Sequence, residues 1–362
     1  MSETTAAPET PSTTEELAGR LFEAGLGAFE LATVLLGDRL GLYRALAAGG
    51  PATAPELAKA ADVDARYARE WCEQQATAGL LTVDDPAADP ERRRFGLVPG
   101  SEPVLIDPDS PARLVPLAEF VESLGRVLPA LTGAFRTGAG VPYGAYGVQH
   151  AQAALSRPCF VGQLVQEWVP QVPGLDARLA AGGTVAEFGC GEGWAAIALA
   201  QGYPGVRVDA FDADPPSIDA AREHAAEAGV ADRVRFVVAD VADPALTGRY
   251  DAVFAFEMLH DLAHPVAALR TAHRIADGPV VIMDERADEA FSPGADPMQR
   301  FLYAASVLHC LPVGRCEPDS AATGTVLRPD LLRRYATEAG FAGVTVLPIE
   351  HEMFRFYLLD RG

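Results

Sequence analysis

The feature that most constrains the fold is a glycine-rich segment between a short apolar run and an alanine-rich run. Residues 185–193 read V-A-E-F-G-C-G-E-G, with glycines at Gly189, Gly191 and Gly193. The apolar residues before the first glycine predict a strand, and the alanines after the last predict a helix. Glycines at such a turn allow a tight bend and a close approach of the backbone to a ligand. The segment therefore predicts a nucleotide-binding turn in an α/β domain.

The residues beside these glycines distinguish between two kinds of ligand. A dinucleotide-binding motif has glycine or alanine at its sixth position, where this chain has Trp194. The chain also has a carboxylate, Glu187, two residues before the first glycine. A carboxylate at that place complements the ammonium and sulfonium charges of S-adenosylmethionine. We therefore expect S-adenosylmethionine as the cofactor, with Glu187, the three glycines and Trp194 among the residues that bind it.

The next predicted strands end in residues suited to the same cofactor. Asp212 comes nineteen residues after the last glycine and is suited to accept hydrogen bonds from the ribose hydroxyls. Asp240 is suited to the adenine amino group, and Val241 to the adenine ring. Phe256 ends the fourth strand, at the same edge of the sheet. For both aspartates the alternative is an ordinary role in a turn or at the start of a helix.

The order of predicted elements divides the chain of 362 residues into two folded parts. After residue 182, short apolar runs alternate with helical stretches, which predicts a mostly parallel sheet. The last two runs, Val344–Pro348 and Met353–Leu359, are expected to form an antiparallel pair at one edge. The predicted organisation is a disordered tail over 1–14, a winged-helix-like domain over 15–110, a helical linker or cap over 111–180, and a Rossmann-like α/β domain over 181–362.

The winged-helix assignment rests on three helices followed by a β-hairpin. Residues 15–46 have helical periodicity and are expected to form helices broken near the glycines. Between Glu15 and Ser110 there are nine basic residues and seventeen acidic ones, a balance of −8, and only the hairpin tip, Arg92–Arg94, is basic. This charge disfavours DNA binding. It favours a dimerisation and capping role, so we expect a homodimer formed through this domain.

Residues 182–362 resemble the Rossmann-like catalytic domain of class I S-adenosylmethionine-dependent methyltransferases. Beyond the tail, the chain is similar to actinobacterial members with an N-terminal winged-helix domain, in segments that include 71–75, 283–286, 306–314 and 320–326. The resemblance implies a seven-stranded sheet with a reversed last strand, and methyl transfer to a small-molecule acceptor that we expect to be a specialised metabolite. It places the cofactor at Glu187, Gly189, Gly191, Gly193, Asp212 and Asp240.

Two histidines are candidates for a general base, which assists transfer to an oxygen nucleophile. His260 follows the fourth strand near the expected position of the methyl group. His309 lies in an apolar helical segment where related enzymes place a substrate-lining insertion; the alternative is a hydrogen-bonded core histidine. Tyr146, with Tyr143 in the same loop, is a candidate for a cation–π contact to the sulfonium, against ordinary loop packing.

Other features exclude several classes of function. Residues 350–352 read E-H-E, but neighbours on a strand point to opposite faces, so we expect no metal site. The net charge of −21 disfavours nucleic acid as a partner. Five scattered cysteines, no apolar run long enough for a membrane and no signal peptide favour the cytoplasm. Two alternatives stay open, namely a non-methylating reaction of S-adenosylmethionine and a ligand-sensing DNA binder.

Overall fold

The computed structural model describes residues 13–362, which form two compact units, 13–123 and 124–362. The expected tail, 1–14, lies outside the described residues except for Thr13 and Thr14, which cap and begin the first helix. The division between the units falls within one long helix. The predicted domain boundaries at residues 110 and 180 remain predictions.

The first unit has the predicted winged-helix order of helices followed by a hairpin. Its three short strands form an antiparallel sheet in the order β1-β3-β2. Its elements are α1 (Thr14–Arg39), α2 (Leu42–Gly49), β1 (Ala52–Thr53), α3 (Ala54–Ala61), α4 (Ala65–Thr77), β2 (Leu81–Val83), β3 (Arg94–Leu97), α5 (Glu102–Leu105) and α6 (Val115–Thr137), which continues into the second unit.

Of the helix breaks expected near glycines over residues 15–46, the one at Gly41 is present, and those expected at the earlier glycines are not. Helix α1 runs unbroken for 26 residues and includes Gly25 and Gly27. A glycine inside a helix costs about 1 kcal/mol relative to alanine, which does not by itself end the helix. The chain turns only at Gly41, which has a left-handed φ of 69°. Thr13 and Glu16 fix the start of the helix with a reciprocal capping box.

The second unit is an α/β domain. Its helices are α7 (Gln149–Cys159), α8 (Leu175–Ala180), α9 (Trp194–Gly202), α10 (Pro215–Glu227), α11 (Pro265–Ile275), α12 (Pro297–Ala305), α13 (Leu311–Gly314) and α14 (Pro329–Ala339). Its strands are β4 (Gly183–Phe188), β5 (Val206–Asp212), β6 (Val234–Val238), β7 (Ala252–Phe256), β8 (Val280–Glu285), β9 (Gly343–Val346) and β10 (Phe354–Asp360). Two π-helical segments, Phe160–Trp168 and Ser306–Cys310, extend α7 and join α12 to α13.

The seven strands confirm the expected sheet. Their order is β6-β5-β4-β7-β8-β10-β9, and the first five run parallel. Strand β10 runs antiparallel to both β8 and β9. The strand order reverses between β4 and β7, and in such sheets ligands bind in the crevice outside the carboxyl ends of the strands at that point.

Two apolar cores cover the two faces of this sheet, because side chains alternate along each strand. Phe254 and Phe256 belong to one core, whereas Val253 and Ala255 of the same strand belong to the other. With both faces buried, the polar side chains at the carboxyl ends of the strands are left to form the site.

Candidate active site

The glycine loop between β4 and α9 is held by the carboxylate at the end of the next strand. Asp212 accepts hydrogen bonds from the backbone N–H of Gly191 at 2.8 Å and from that of Asp214 at 2.9 Å. Burial raises the pKa of Asp212 above its ordinary value. The carboxylate thus has a role in shaping the loops around it, which is the alternative considered for this residue. Its contact with a ribose stays a prediction.

Glu187 is the buried acid of this region. Its side chain is 2% exposed, and its Oε2 atom has no hydrogen-bond partner among the described residues. Burial, and then the charge of Asp212, raise the pKa of Glu187 to about 8. A buried carboxylate oxygen without a partner is costly to retain unless a ligand satisfies it. The ammonium of S-adenosylmethionine is such a partner, so the residue fits the expected cofactor.

The loop also offers room for a ligand. Gly191 has a φ of +50°, and a Cβ placed there would meet no heavy atom within 4 Å. Gly193 differs, since a Cβ at that position would lie 2.7 Å from the ring of Phe236. Gly191 therefore faces open space, whereas the missing side chain at Gly193 permits the helix to pack closely on the sheet.

Asp240 and Val241 follow β6 at the same edge of the sheet. Asp240 is exposed, and its Oδ1 atom accepts a hydrogen bond from the N–H of Ala242 at 2.8 Å, as in an ordinary turn. Val241 is buried with the core that contains Phe188 and Phe211. Their contacts with adenine remain predictions.

The side chains of Trp194 and Phe256 both pack against other side chains of the second unit. Trp194 stacks on His224 with ring centroids 4.4 Å apart, and the guanidinium carbon of Arg157 lies 4.1 Å from its ring. Phe256 is buried in the core, 5.6 Å from the ring of Phe160. The structure thus gives both residues structural partners, and their contacts with the cofactor stay predictions.

Two tyrosines of the loop before α7 lie against His309. The ring centroids of Tyr143 and Tyr146 are 5.8 and 4.7 Å from that of the histidine. Burial, and then the charge of Asp212, raise the pKa of Tyr143. The Tyr143 hydroxyl donates a hydrogen bond to Oε1 of Gln152 at 2.8 Å. A contact of either tyrosine with the sulfonium stays a prediction. The Tyr146 hydroxyl is buried with no hydrogen-bond partner among the described residues.

His309 is fully buried in the π-helical segment between α12 and α13. Burial lowers its pKa below the ordinary value, which favours the neutral imidazole. Its Nδ1 atom lies 3.5 Å from Sγ of Cys310. Tyr303, six residues earlier, accepts a hydrogen bond from Arg328 instead. The two side chains have different surroundings, as their spacing predicted.

His260 is surrounded by acids. Its Nδ1 atom lies 2.9 Å from Oδ1 of Asp284 and 2.9 Å from Oε2 of Glu285, and its Nε2 atom lies 3.4 Å from Oδ1 of Asp261. Burial by itself favours the neutral imidazole. The three carboxylates outweigh burial and raise the pKa of His260 well above its ordinary value. A charged imidazolium donates protons and does not accept them.

Three acids end the fourth and fifth strands, namely Glu257, Asp284 and Glu285. For Asp284 and Glu285 the sequence leaves open an internal ion pair or a contact with the substrate. Glu257 directly follows β7, has a left-handed φ of 52°, and its Oε1 atom is buried without a hydrogen-bond partner. Burial, and then the charge of Glu285, raise the pKa of Glu257 to about 8. Strand alternation could have indicated the position of Glu257. Phe256 is apolar and is expected to face the core, so the adjacent Glu257 is expected to point the opposite way.

His351 has a structural role. Its Nδ1 atom lies 3.2 Å from the backbone nitrogens of Met353 and Phe354, and its ring stacks on that of Phe354 at 4.8 Å. The ring therefore shapes the turn that leads into β10.

The basic tip of the hairpin is engaged within its own unit. Arg93 pairs with Glu73 at 2.7 Å, and Arg94 pairs with Glu56 at 3.1 Å. Two of the three tip arginines are thus neutralised by neighbouring acids, which further weakens the DNA-binding alternative. Among residues 13–362, no helix has the length and apolar character that crossing a membrane requires.

Two family models match the chain. Residues 185–277 match a methyltransferase domain, and residues 28–91 match a Rv2258c-like winged HTH domain. A curated relative, the ubiquinone biosynthesis O-methyltransferase of Pseudomonas paraeruginosa, is 32% identical over 115 residues, which are 32% of this chain and 47% of that protein. The chain thus spans about half the length of the curated relatives it matches.

Solved structures resemble almost the whole chain in fold. The mitomycin 7-O-methyltransferase MmcR is 21% identical and has a TM-score of 0.69, with 97% of this chain and 100% of that chain covered. Human N-acetylserotonin methyltransferase in complex with SAM is 17% identical and has a TM-score of 0.72, with 98% and 100% covered. The chain therefore has the fold of these methyltransferase structures, with residues 185–277 matching a methyltransferase domain and residues 28–91 matching a winged HTH domain.

Proposed function

We propose that this protein transfers a methyl group from S-adenosylmethionine to a hydroxyl group of a small-molecule acceptor. The observation that carries the proposal is the buried Glu187, whose unpartnered oxygen lies beside a glycine loop with open space at Gly191. The match to a methyltransferase domain over residues 185–277 supports it. The similar solved structures include O-methyltransferases, one of them for mitomycin, so a specialised metabolite is the acceptor class we propose.

The chain's own residues would bind and orient both molecules. Glu187 would pair with the methionyl ammonium, the glycine loop would lie along the cofactor, and Asp212 and Asp240 would accept its ribose and adenine donors. The bound cofactor supplies a methyl group activated by a positive sulfonium. Because the cofactor is already activated, the remaining task of the protein is to align the acceptor and exclude water.

His309 is the residue that we propose to accept the proton of the acceptor hydroxyl. It is neutral because burial lowers its pKa, whereas His260 is held in its charged form by carboxylates. The ring of Tyr143 lies 5.8 Å from that of His309, and its hydroxyl donates to Gln152. The charge of Asp212 contributes to the raised pKa of Tyr143, which supports a place for His309 near the glycine loop.

Calorimetry with S-adenosylmethionine and S-adenosylhomocysteine tests the cofactor. We expect both to bind the wild-type protein with one site per chain, and Asp212→Ala to weaken both, because the glycine loop loses the carboxylate that holds it. No binding of either molecule at high micromolar concentration would contradict the proposal. Formation of methylthioadenosine would contradict methyl transfer while leaving cofactor binding intact.

The base is tested with His309→Asn and a panel of phenolic acceptors, with S-adenosylhomocysteine formation as the measurement. A lost general base lowers the rate by about 10²–10⁴-fold, and the binding of S-adenosylhomocysteine should stay unchanged. His264→Asn is the control, because that histidine is partly exposed and pairs with Glu317. Equal rates for both variants would remove His309 from this role.

We also propose that the protein is a homodimer formed through the first unit. Helix α1 carries large exposed apolar side chains, among them Phe22 and Phe29 at 69% and 76% exposure. An adjoining apolar groove is lined by residues that include Leu31, Val34 and Val121. Exposed apolar area of this extent is typical of an interface.

A cytoplasmic location remains a prediction, consistent with five free cysteines.

A further inference from the structure

The carboxyl ends of β7 and β8 bring together an imidazole and two carboxylates that the proposed methyl transfer does not use. The ligand atoms of His260, Asp284 and Glu285 all lie within 4.8 Å of one another. The Nδ1 atom of the histidine is 2.9 Å from an oxygen of each acid. His260 and Asp284 are buried, at 2% and 0% exposure, and Glu285 is partly buried, at 13%.

Hydrogen bonding within the cluster leaves oxygens unsatisfied. The Nδ1 position carries at most one N–H, and Oδ1 of Asp284 accepts its hydrogen bond. Oε2 of Glu285 lies equally near the ring but has no hydrogen-bond partner, and neither has Oδ2 of Asp284. A fully buried carboxylate oxygen without a donor implies a further positive or hydrogen-bearing species beside it.

The charge around the cluster also favours a cation. Glu257 and Asp261 lie close to the same histidine, so four carboxyl groups surround one imidazole. Across residues 13–362, no arginine or lysine forms an ion pair with any of the four. Two arginines near the cluster are engaged elsewhere. Arg286, next to Glu285 in the chain, donates to the carbonyl of His351, and Arg355, which pairs with Asp284 across strands β10 and β8, donates to that of Ala287.

We propose that His260, Asp284 and Glu285 bind a divalent cation at this edge of the sheet, and that binding releases the Nδ1 proton of His260 to solvent, because a ligating imidazole nitrogen carries no hydrogen. An imidazole with two carboxylates suits Mn²⁺ or Zn²⁺, because imidazole favours later first-row metals and carboxylates favour Mn²⁺. Metal–ligand distances of about 2.1 Å place neighbouring ligand atoms about 3 Å apart in octahedral coordination. The two distances of 2.9 Å from Nδ1 match that separation.

The cation is assigned to the Nδ1 side of the histidine. A second group of possible ligands, made of His260, Asp261 and Cys310, shares the ring through its other side. The Nδ1 side offers two carboxylates, whereas the other side offers one carboxylate and a thiol, and carboxylates are the ligands that suit Mn²⁺.

Titration of the full-length, chelator-treated protein with Mn²⁺, followed by the electron paramagnetic resonance signal of free Mn²⁺, tests the site. We expect one saturable site per chain, and competition by Zn²⁺. Glu285→Gln should weaken binding at least tenfold, because it removes a charged ligand of the same size. Glu289→Gln is the matched control, since this exposed glutamate lies four residues further along the chain.

Three results would overturn the proposal. One is the absence of saturable binding of Mn²⁺ and Zn²⁺ up to millimolar concentration, which would leave a shared proton as the occupant. Another is equal affinity of Glu285→Gln and the wild type. The third needs no variant: spin-echo modulation of bound Mn²⁺ must show coupling to an imidazole nitrogen, and its absence would exclude His260. The readouts require neither an acceptor nor S-adenosylmethionine, so they are independent of the proposed methyl transfer.

Discussion

Glu187 illustrates how one buried residue couples structure to protonation. Its carboxyl group is enclosed at the end of β4, and burial with the nearby charge of Asp212 raises its pKa to about 8. Without a ligand, the folded protein therefore holds a proton on this group at neutral pH. A bound ammonium would reverse that preference, because an opposite charge within a few ångströms favours the ionised carboxylate.

The raised pKa of Glu187 predicts a pH dependence of stability. Between pH 4.5 and about 8 the folded state binds a proton that the unfolded state has lost, so stability decreases as pH rises through this window. The slope from one such group approaches about 1.4 kcal/mol per pH unit. Glu187→Gln should remove this contribution. The urea midpoint of the variant should therefore rise relative to that of the wild type as pH increases from 5 to 8. Parallel pH profiles of the two proteins would contradict the assignment.

The glycine loop shows, at the scale of one element, why similar residues in one motif have different roles. Asp212 fixes the loop through the backbone of Gly191, whose missing side chain leaves open space. Gly193 starts α9 with a φ of 84°, and the ring of Phe236 occupies the place of its missing side chain. The missing side chain at Gly191 therefore leaves room for a ligand, and the missing side chain at Gly193 lets the helix pack on the sheet.

Alanine substitutions should separate these two roles. A left-handed φ costs an alanine about 1–2 kcal/mol at either position. At Gly193 the clash with the phenylalanine ring adds about 1–3 kcal/mol. Gly193→Ala should therefore lose clearly more stability in urea unfolding. Gly191→Ala should stay folded but bind S-adenosylhomocysteine at least tenfold more weakly. Equal losses of stability, with unchanged binding in Gly191→Ala, would contradict this division.

At the scale of the whole molecule, the two units distribute the apolar surface differently. The second unit buries both faces of its sheet in two large cores. The first unit has one smaller core, and α1 leaves Leu21, Phe22 and Phe29 exposed. A helix with this much exposed apolar area is unlike a solvated surface helix. A second copy of the chain is the partner we propose for it.

Light scattering coupled to size-exclusion chromatography tests the dimer. We expect twice the chain mass for the wild type and a shift toward the monomer for Phe22→Asp, because burying the new charge in an apolar interface is unfavourable. Tyr67→Asp is the matched control, since Tyr67 is an equally exposed aromatic residue, at 80%, on α4 of the same unit. A wild-type monomer, or equal dissociation of both variants, would contradict the proposed interface.

Local patterns determined much of the fold. Alternating strands and helices predicted the parallel sheet, and two late apolar runs predicted its antiparallel edge. These patterns can be recognised in the sequence because alternation and helical periodicity depend on residues that are neighbours in the chain. The glycine motif likewise located the loop and Glu187. Glycine content was misleading in α1, since a continuous helix tolerates Gly25 and Gly27 when the rest of its residues favour helix.

The sequence by itself determined the fold class, because the alternation of strands and helices repeats along the chain. It also determined the glycine loop and the cofactor it suits, because these depend on residues within one βα unit. Only the tertiary structure decided which acids surround His260, since Asp284 and Glu285 lie 24 and 25 residues from it and meet it where parallel strands end together. It also decided the opposite directions of two pKa shifts, since burial lowers the pKa of His309 and the neighbouring carboxylates raise that of His260. Protonation follows burial and neighbouring charge, and the spacing of residues along a chain specifies neither.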